Sequence, residues 1–175
     1  MKKTLALSVL LALSTSAIAS ESTTQDKSGH TLSIGMSKVS GDISNISDDT
    51  VFSVSYDYTT NQGVIIGGYF MPELVSSSMS YMDVNLSLDT SVLGMYLGYQ
   101  FDNNIRLTSG LSFTTVEAKL SDNYASVSDE ETNTGFMFGI DYLFSEKVLI
   151  GTRFVTHDVA GVEGSSMGIS AGYKF

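Results

Sequence analysis

The sequence predicts an all-β protein: a transmembrane, up-and-down antiparallel β-barrel of eight strands. Three observations predict it. Tyr-x-aromatic is written four times, as Tyr56-Asp57-Tyr58, Tyr99-Gln100-Phe101, Tyr142-Leu143-Phe144 and Tyr173-Lys174-Phe175, and the first three tyrosines stand 43 residues apart. Each pair closes a run in which bulky apolar residues alternate with small or polar ones, so one face of a strand ends in two rings. The connections between runs alternate short and long, as hairpins that cross a bilayer and return do. A fixed period sets a repeated hairpin unit, and rings with one apolar and one hydrogen-bonding end concentrate where hydrocarbon meets water.

Residues 1–19 read as an export signal. Lys2 and Lys3 precede an apolar stretch from Leu5 to Leu13, and Ala17-Ile18-Ala19 supplies a small-residue cleavage pattern. Cleavage after Ala19 leaves Ser20 or Glu21 as the first residue, then a polar, flexible periplasmic lead-in over 20–29 and a barrel over 30–175. The apolar stretch is shorter than the ~20 residues a membrane helix needs. Loss of the two lysines takes the formal net charge from −10 to −12, which disfavours a nucleic-acid partner, since phosphate binding needs clustered Lys and Arg. With no Cys in the chain, a disulfide scaffold, thiol catalysis and Cys-ligated zinc are excluded. The single Pro suits long unbroken ladders.

The strands follow in order. In the first, Leu32, Ile34 and Met36 alternate with Ser33, Gly35 and Ser37; in the second, Phe52, Val54, Tyr56 and Tyr58 alternate with Ser53, Ser55 and Asp57. The third, near Val64 to Met71, fits either register through Val64-Ile65-Ile66 and Gly67-Gly68, and its faces stay unassigned. The fourth sets Leu93, Met95, Leu97, Tyr99 and Phe101 against Val92, Gly94, Tyr96, Gly98 and Gln100, and the fifth sets Ile105, Leu107, Leu111 and Phe113 against Arg106, Thr108, Gly110, Ser112 and Thr114. The sixth opposes Phe136, Phe138, Ile140, Tyr142 and Phe144 to Gly135, Gly139 and Asp141, with Met137 and Leu143 out of pattern. Val148, Ile150 and Phe154 face away from Gly151 and Arg153 in the seventh; Met167, Ile169, Ala171, Tyr173 and Phe175 face away from Ser166, Gly168, Ser170, Gly172 and Lys174 in the eighth.

Short links at Thr60–Gly63, Asp102–Asn104 and Ser145–Lys147 contrast with long ones near Val39–Thr50, Pro72–Thr90, Lys119–Asn133 and Asp158–Gly164. Short turns lie on the periplasmic side of such barrels and long loops outside. The aromatic pairs then form the periplasmic girdle, and both termini lie in the periplasm. A secreted lipocalin-type barrel would invert the faces. The small face decides against it, because it carries Asp57, Arg106, Asp141, Arg153 and Lys174 among its glycines, as a narrow polar lumen requires and an apolar calyx does not. The glycine spacings are strand features rather than a helix-dimer motif, and a chain without Trp lacks the propeller signatures.

These residues resemble a family, the small eight-stranded outer-membrane proteins of the OmpX/Ail and OmpA-transmembrane-domain kind, and the likeness covers the whole exported chain. The resemblance implies that Phe175, with Tyr173 two positions before it, is the signal read by the outer-membrane assembly machinery. It also implies integral residence in the outer membrane of a Gram-negative cell, among outer-membrane lipid and lipopolysaccharide. The acidic loops depart from the adhesive, basic-looped members and from their polyanion binding.

The candidate sites are of three kinds. Asp57, Arg106, Asp141, Arg153 and Lys174 form a charge cluster that plugs the lumen, because buried charges must be paired; a gated path for ions or small solutes is the alternative. Tyr56, Tyr58, Tyr99, Phe101, Tyr142, Phe144, Tyr173 and Phe175 form the girdle and assembly signal. Carboxylates crowd the outer connections: Asp42, Asp48, Asp49, Glu73, Asp83, Asp89, Asp122, Asp129, Glu130, Glu131, Asp158 and Glu163, with Lys38 and Lys119 the only bases near them. They suit a cationic surface partner, or divalent cations bridging to lipopolysaccharide phosphates. No catalytic, metal or cofactor residue is assigned. His157 reads as a surface histidine at the rim, since the lipid A deacylases that such barrels include carry His-x-Ser and here the third position is Val159. A lipid-modifying enzyme is the remaining alternative to a structural or surface-interaction role.

Overall fold

A strand that crosses a membrane must satisfy every backbone donor and acceptor by pairing, and closing the sheet on itself removes its edges. The computed structural model of this protein describes residues 26–45, 50–81, 84–121 and 126–175. Eight antiparallel strands run through them: β1 (Gly29–Gly41), β2 (Thr50–Thr59), β3 (Val64–Tyr81), β4 (Val84–Gln100), β5 (Ile105–Ser121), β6 (Ser126–Leu143), β7 (Val148–Val159) and β8 (Val162–Lys174). Each pairs with the next, and β8 returns to β1, closing the barrel. The closing ladder runs from Thr31 opposite Lys174 to Gly41 opposite Gly164. Its last rungs are His30 N to Phe175 O, 2.9 Å, and Phe175 N to His30 O, 2.8 Å.

The alternation in the sequence becomes inside and outside. Along β2 the residues switch strictly between exposed and buried. Leu32, Ile34, Phe52, Val54, Leu93, Met95, Phe136, Ile150 and Ile169 all stand outward, exposed, in a belt that only lipid would cover. β3 resolves its ambiguity with Ile65, Tyr69 and Met71 inside and Ile66 and Phe70 outside. Its glycine pair has a packing cause. A Cβ on Gly67 would stand 2.5 Å from the Tyr96 ring and 2.7 Å from the Asp57 side chain, so the bare backbone there makes room for both.

The outer connections differ from the expected lengths. Much of the stretches read as loops, Pro72–Thr90 and Lys119–Asn133, belongs to strands, because β3 runs on to Tyr81, β4 starts at Val84, β5 ends at Ser121 and β6 starts at Ser126. Between β7 and β8 only Ala160 and Gly161 remain as a turn. Apolar alternation ends where the membrane ends, but ladder hydrogen bonds do not, so a polar strand above the bilayer carries no period to detect. The first outer connection turns inward through a short 3₁₀ segment, Asp42–Asn45. Its Ile43 is fully buried over Gly164, where a Cβ would stand 2.8 Å from the isoleucine.

The narrow polar lumen expected from the sequence accounts for one of two layers in the interior. Toward the short turns lie Asp57, Gln100, Arg106, Thr108, Asp141, Arg153 and Lys174, all buried. Toward the outer end the same inward positions carry Val39, Val51, Met71, Leu74, Val75, Val92, Val116, Met137, Val155 and Val159, which with Ile43 pack into one apolar cluster. Tyr69 and Tyr96 belong to that cluster and form the boundary with the charged layer.

Candidate functional site

The charged layer is assembled by register. Arg106 stands opposite Asp141 on β6 and opposite Gln100 on β4, while Arg153 on β7 stands opposite Gly139 and Asp57 on β2 opposite Gly67. Across the lumen, Arg106 Nη2 donates to Asp57 Oδ1 at 2.5 Å, and the Tyr96 hydroxyl donates to Asp57 Oδ2 at 3.2 Å. The Arg153 guanidinium lies between two rings, 5.1 Å from the Tyr69 centroid and 4.9 Å from that of Tyr96, a doubly faced cation–π contact. Glycines open the space for these long side chains: a Cβ on Gly139 would meet Thr108 and Arg153, and one on Gly151 would overlap the Asp141 carboxylate. All five residues of the sequence-derived cluster therefore reach one layer. Lys174 sits at its lower edge, where its ammonium donates to the Lys27 carbonyl and lies 3.5 Å from Gln100 Oε1.

The mouth below is bordered by the described end of the lead-in, Asp26–Ser28. Lys27 donates to the Gln100 carbonyl at 3.1 Å, pairs with Asp102 at 2.5 Å and stands 5.6 Å over the Tyr99 ring. A cavity of about 280 Å³ remains there, lined in part by Lys27, Asp102, Glu146, Lys147 and Lys174. The aromatic residues ring this same end. Tyr99 and Phe101 meet edge to face at 5.1 Å, as do Tyr142 and Phe144 at 6.5 Å, and Tyr56, Tyr58, Tyr173 and Phe175 stand exposed beside β1. Sequence reasoning missed His30. Its ring lies 4.9 Å from Tyr58 and 5.9 Å from both Tyr56 and Phe175, and its Nδ1 is 2.7 Å from the Tyr56 hydroxyl. The signal was available, since residue 30 has the parity of Leu32, Ile34 and Met36.

His157 is the clear correction among the site residues. It is 3% exposed and points inward from β7, with Nε2 2.8 Å from Ser166 Oγ on β8. Parity places it there: Gly151, Arg153, Val155, His157 and Val159 all face in. A serine at hydrogen-bond distance from a histidine is the start of an acyl-transfer site, yet Ser166 is 1% exposed and both lie in the apolar layer. The pair gives His157 Nε2 and Ser166 Oγ a partner in a dry environment, while His157 Nδ1 has none among the described residues. His157→Ala should leave the acylation of lipid A unchanged; mass spectra that differ between wild type and variant at equal expression would show a catalytic role instead.

At the outer end, four strands continue past the others. Pairing runs up to Tyr81 opposite Val84, Asn85 opposite Ser121 and Ser121 opposite Ser126. On the flanks, β2 leaves β3 beyond Val54 opposite Phe70, and β6 leaves β7 beyond Met137 opposite Val155. Thr156 seals the second seam, where its hydroxyl accepts from Phe136 N at 2.7 Å. The result is a four-stranded sheet, β3 to β6, projecting beyond the barrel with β3 and β6 as its edges. Asp89, Asp129, Glu130 and Glu131 on it are exposed, as are Asp42, Glu73 and Glu163 elsewhere on this end, while Asp158 is half-buried. Asp48, Asp49, Asp83 and Asp122 lie outside the described residues. Lys119 is engaged by Glu117 at 3.0 Å. Among the described residues no three carboxylates or histidines converge as a metal site.

Among solved structures, the fold is similar to the attachment invasion locus protein Ail of Yersinia pestis in complex with the heparin analogue sucrose octasulfate: TM-score 0.62, 17% identity, 85% of this chain and 97% of that one covered. Ail in a phospholipid bilayer nanodisc gives TM-score 0.56 at 17% identity, with 85% and 99% covered. The N-terminal β-barrel domain of Pseudomonas aeruginosa OprF gives 0.51 at 10% identity, with 85% and 99% covered. A sequence comparison with curated proteins finds no match. The family model described as the outer membrane protein beta-barrel domain matches residues 5–175, and the chain belongs to that family of integral outer-membrane barrels.

Proposed function

We propose that this outer-membrane barrel is a closed, non-catalytic scaffold that holds an acidic β-sheet above the cell surface for recognition of cationic partners. The projecting sheet carries the reading. Four strands rise beyond the barrel, and the β6 edge bears Asp129, Glu130 and Glu131 in succession. A sheet edge is a template for an added strand unless charge guards it, and this edge selects by sign: an extended basic segment is attracted, a polyanion repelled. The short turns and the girdle face the periplasm in this reading, residues 1–19 are the export signal, and the assembly machinery reads the aromatic end of β8.

Ail was solved with a heparin analogue; the opposite preference is expected here, because exposed like charges repel over about a Debye length, ~8 Å at physiological salt. In a salt series, heparin and DNA should fail to bind at physiological ionic strength, whereas a lysine-rich peptide and calcium should bind with affinity that falls as salt rises. Reversing Asp129, Glu130 and Glu131 to lysine should invert the order. Heparin binding by the wild type that survives charge reversal would refute the proposal.

Closure of the lumen rests on its two layers. An ion crossing it would have to pass both the Asp57–Arg106 pair and an apolar cluster with no room for its hydration shell. In planar bilayers the protein should conduct far less than an open porin at equal insertion. A large, steady conductance would favour the pore alternative.

A further inference from the structure

The projecting sheet reverses the polarity of the wall beneath it. In the barrel the bulky apolar side chains of β4, β5 and β6 point out to lipid. These strands pair without a register shift from the short turns to the tip, so each residue above the barrel keeps the inward or outward parity of those below. The outward positions up there are polar and bond to one another. Ser76 Oγ donates to Asp89 Oδ1 at 3.4 Å, the Thr115 and Thr132 hydroxyls meet at 3.1 Å, and Lys119 pairs with Glu117 at 3.0 Å. The bulky apolar side chains fall on the inward side instead.

Leu86, Leu120 and Val127 stand at one height on three neighbouring strands, since Leu86 is opposite Leu120 and Leu120 is opposite Val127. They are 47%, 48% and 66% exposed. One step down on the same face, Leu88 and Ala118 lie opposite each other, half-buried, and Leu88 packs against the inner apolar cluster. The patch is therefore an upward continuation of the core, about 10 Å across its three strands. The opposite wall stops short of it, because β7 and β8 end in the turn at Ala160 and Gly161. Two exposed carboxylates share the face along its β6 side, Asp129 opposite Ala118 and Glu131 opposite Val116. Lys119 is the one base on the described projecting strands, and its parity puts it on the other face.

We propose that the inward face of the projecting sheet is a docking site for a cationic amphipathic α-helix of a partner protein or peptide. Three features choose that occupant. The exposed apolar patch needs an apolar cover, and its width matches the diameter of one helix. Asp129 and Glu131 beside it, with no base on the same face, call for Lys or Arg flanking the apolar stripe. β4 and β5 are paired on both sides, so the face offers side chains only, and its occupant must satisfy its own backbone, as a helix does and an isolated strand does not. The proposal rests on the acidic-scaffold reading for the sign of the partner's charge but not for the mode of contact: an added strand would use the β6 edge, and the helix uses the face.

The chain has no Cys, so a benzophenone can be attached at Leu120→Cys, on the face, or at Lys119→Cys, one residue away on the opposite side. The probes are a peptide of about 18 residues, built of Leu and Lys with the leucines on one helical face, and a scrambled peptide of the same composition. The barrel is held in phosphatidylcholine nanodiscs, with empty nanodiscs as the blank, and the heat-dependent gel shift shows that each variant is folded. The helical peptide should be captured at position 120 about tenfold more than at position 119, and Leu86→Ser with Val127→Ser, or Asp129→Asn with Glu131→Gln, should each weaken its binding about tenfold. Equal capture at the two positions, as partition into the bilayer would give, or unchanged binding in the Leu86→Ser, Val127→Ser barrel would overturn the proposal. Scrambled peptide bound as tightly as the helical one would overturn the helix site and leave the cationic-partner reading standing, whereas binding of neither peptide would overturn both.

Discussion

Replacing Arg106 with alanine should lower the stability of the folded barrel by about 3–5 kcal/mol, the usual loss when one partner of a buried ion pair is removed. Arg106 is 1% exposed and pairs with Asp57 across the lumen at 2.5 Å. With the guanidinium gone, Asp57 keeps, among the described residues, the Tyr96 hydroxyl at 3.2 Å as its side-chain donor, in a layer bounded above by apolar side chains. Most of the loss is the desolvation of the remaining carboxylate rather than the attraction forgone. The double variant Asp57→Asn with Arg106→Leu should therefore recover much of it, and Arg153→Lys should lose the planar stacking on Tyr69 and Tyr96 while keeping its charge. Urea unfolding in lipid, followed by the gel shift of the folded barrel, measures each variant. Lys119→Ala, at the exposed outer end, should unfold at the wild-type urea concentration. An Arg106→Ala barrel that does the same would mean that the pair contributes nothing to closure.

Much of this architecture was legible because a barrel in lipid reads one residue in and one residue out. The five lumen charges share parity with the glycines that make room for them, so strand alternation alone brought Asp57, Arg106, Asp141, Arg153 and Lys174 to one side. Register then brought them to one height, which alternation does not contain. The apolar layer was hidden for a different reason. Val92 was already on the inner face of β4 with Gly94 and Tyr96, but Val116, which follows Thr114 on β5, and Val155 and Val159, which flank His157 on β7, are inward residues just past the aromatic belt, where the outward apolar period stops. Carrying inner parity two steps further on every strand recovers the layer and moves His157 from the surface to the interior. The projecting sheet had no such signal, since both of its faces meet water and neither is obliged to be apolar.

Deleting Phe175 should reduce the yield of assembled barrel more than any substitution in the girdle. Two contributions coincide at that residue. Its backbone makes both terminal rungs of the ladder that closes β8 on β1, each worth about 1 kcal/mol net and more where lipid replaces water. Its ring, exposed to lipid, stacks with His30 in the group that also holds Tyr56 and Tyr58, an aromatic contact worth about 0.5–1.5 kcal/mol. Loss of both leaves β1 and β8 unpaired where the barrel last closes, and removes the residue proposed to be read by the assembly machinery. The two roles separate by substitution. Phe175→Ala keeps the rungs and loses the ring; Phe175→Tyr keeps both. If ring chemistry governs recognition in the cell, Phe175→Ala should assemble poorly in vivo yet refold well from urea into lipid vesicles, and Phe175→Tyr should assemble normally. If the ladder alone matters, Phe175→Ala should assemble in cells as the wild type does, and only the deletion should fail in both settings. Normal amounts of gel-shifting barrel in the outer membrane after the deletion would remove both roles.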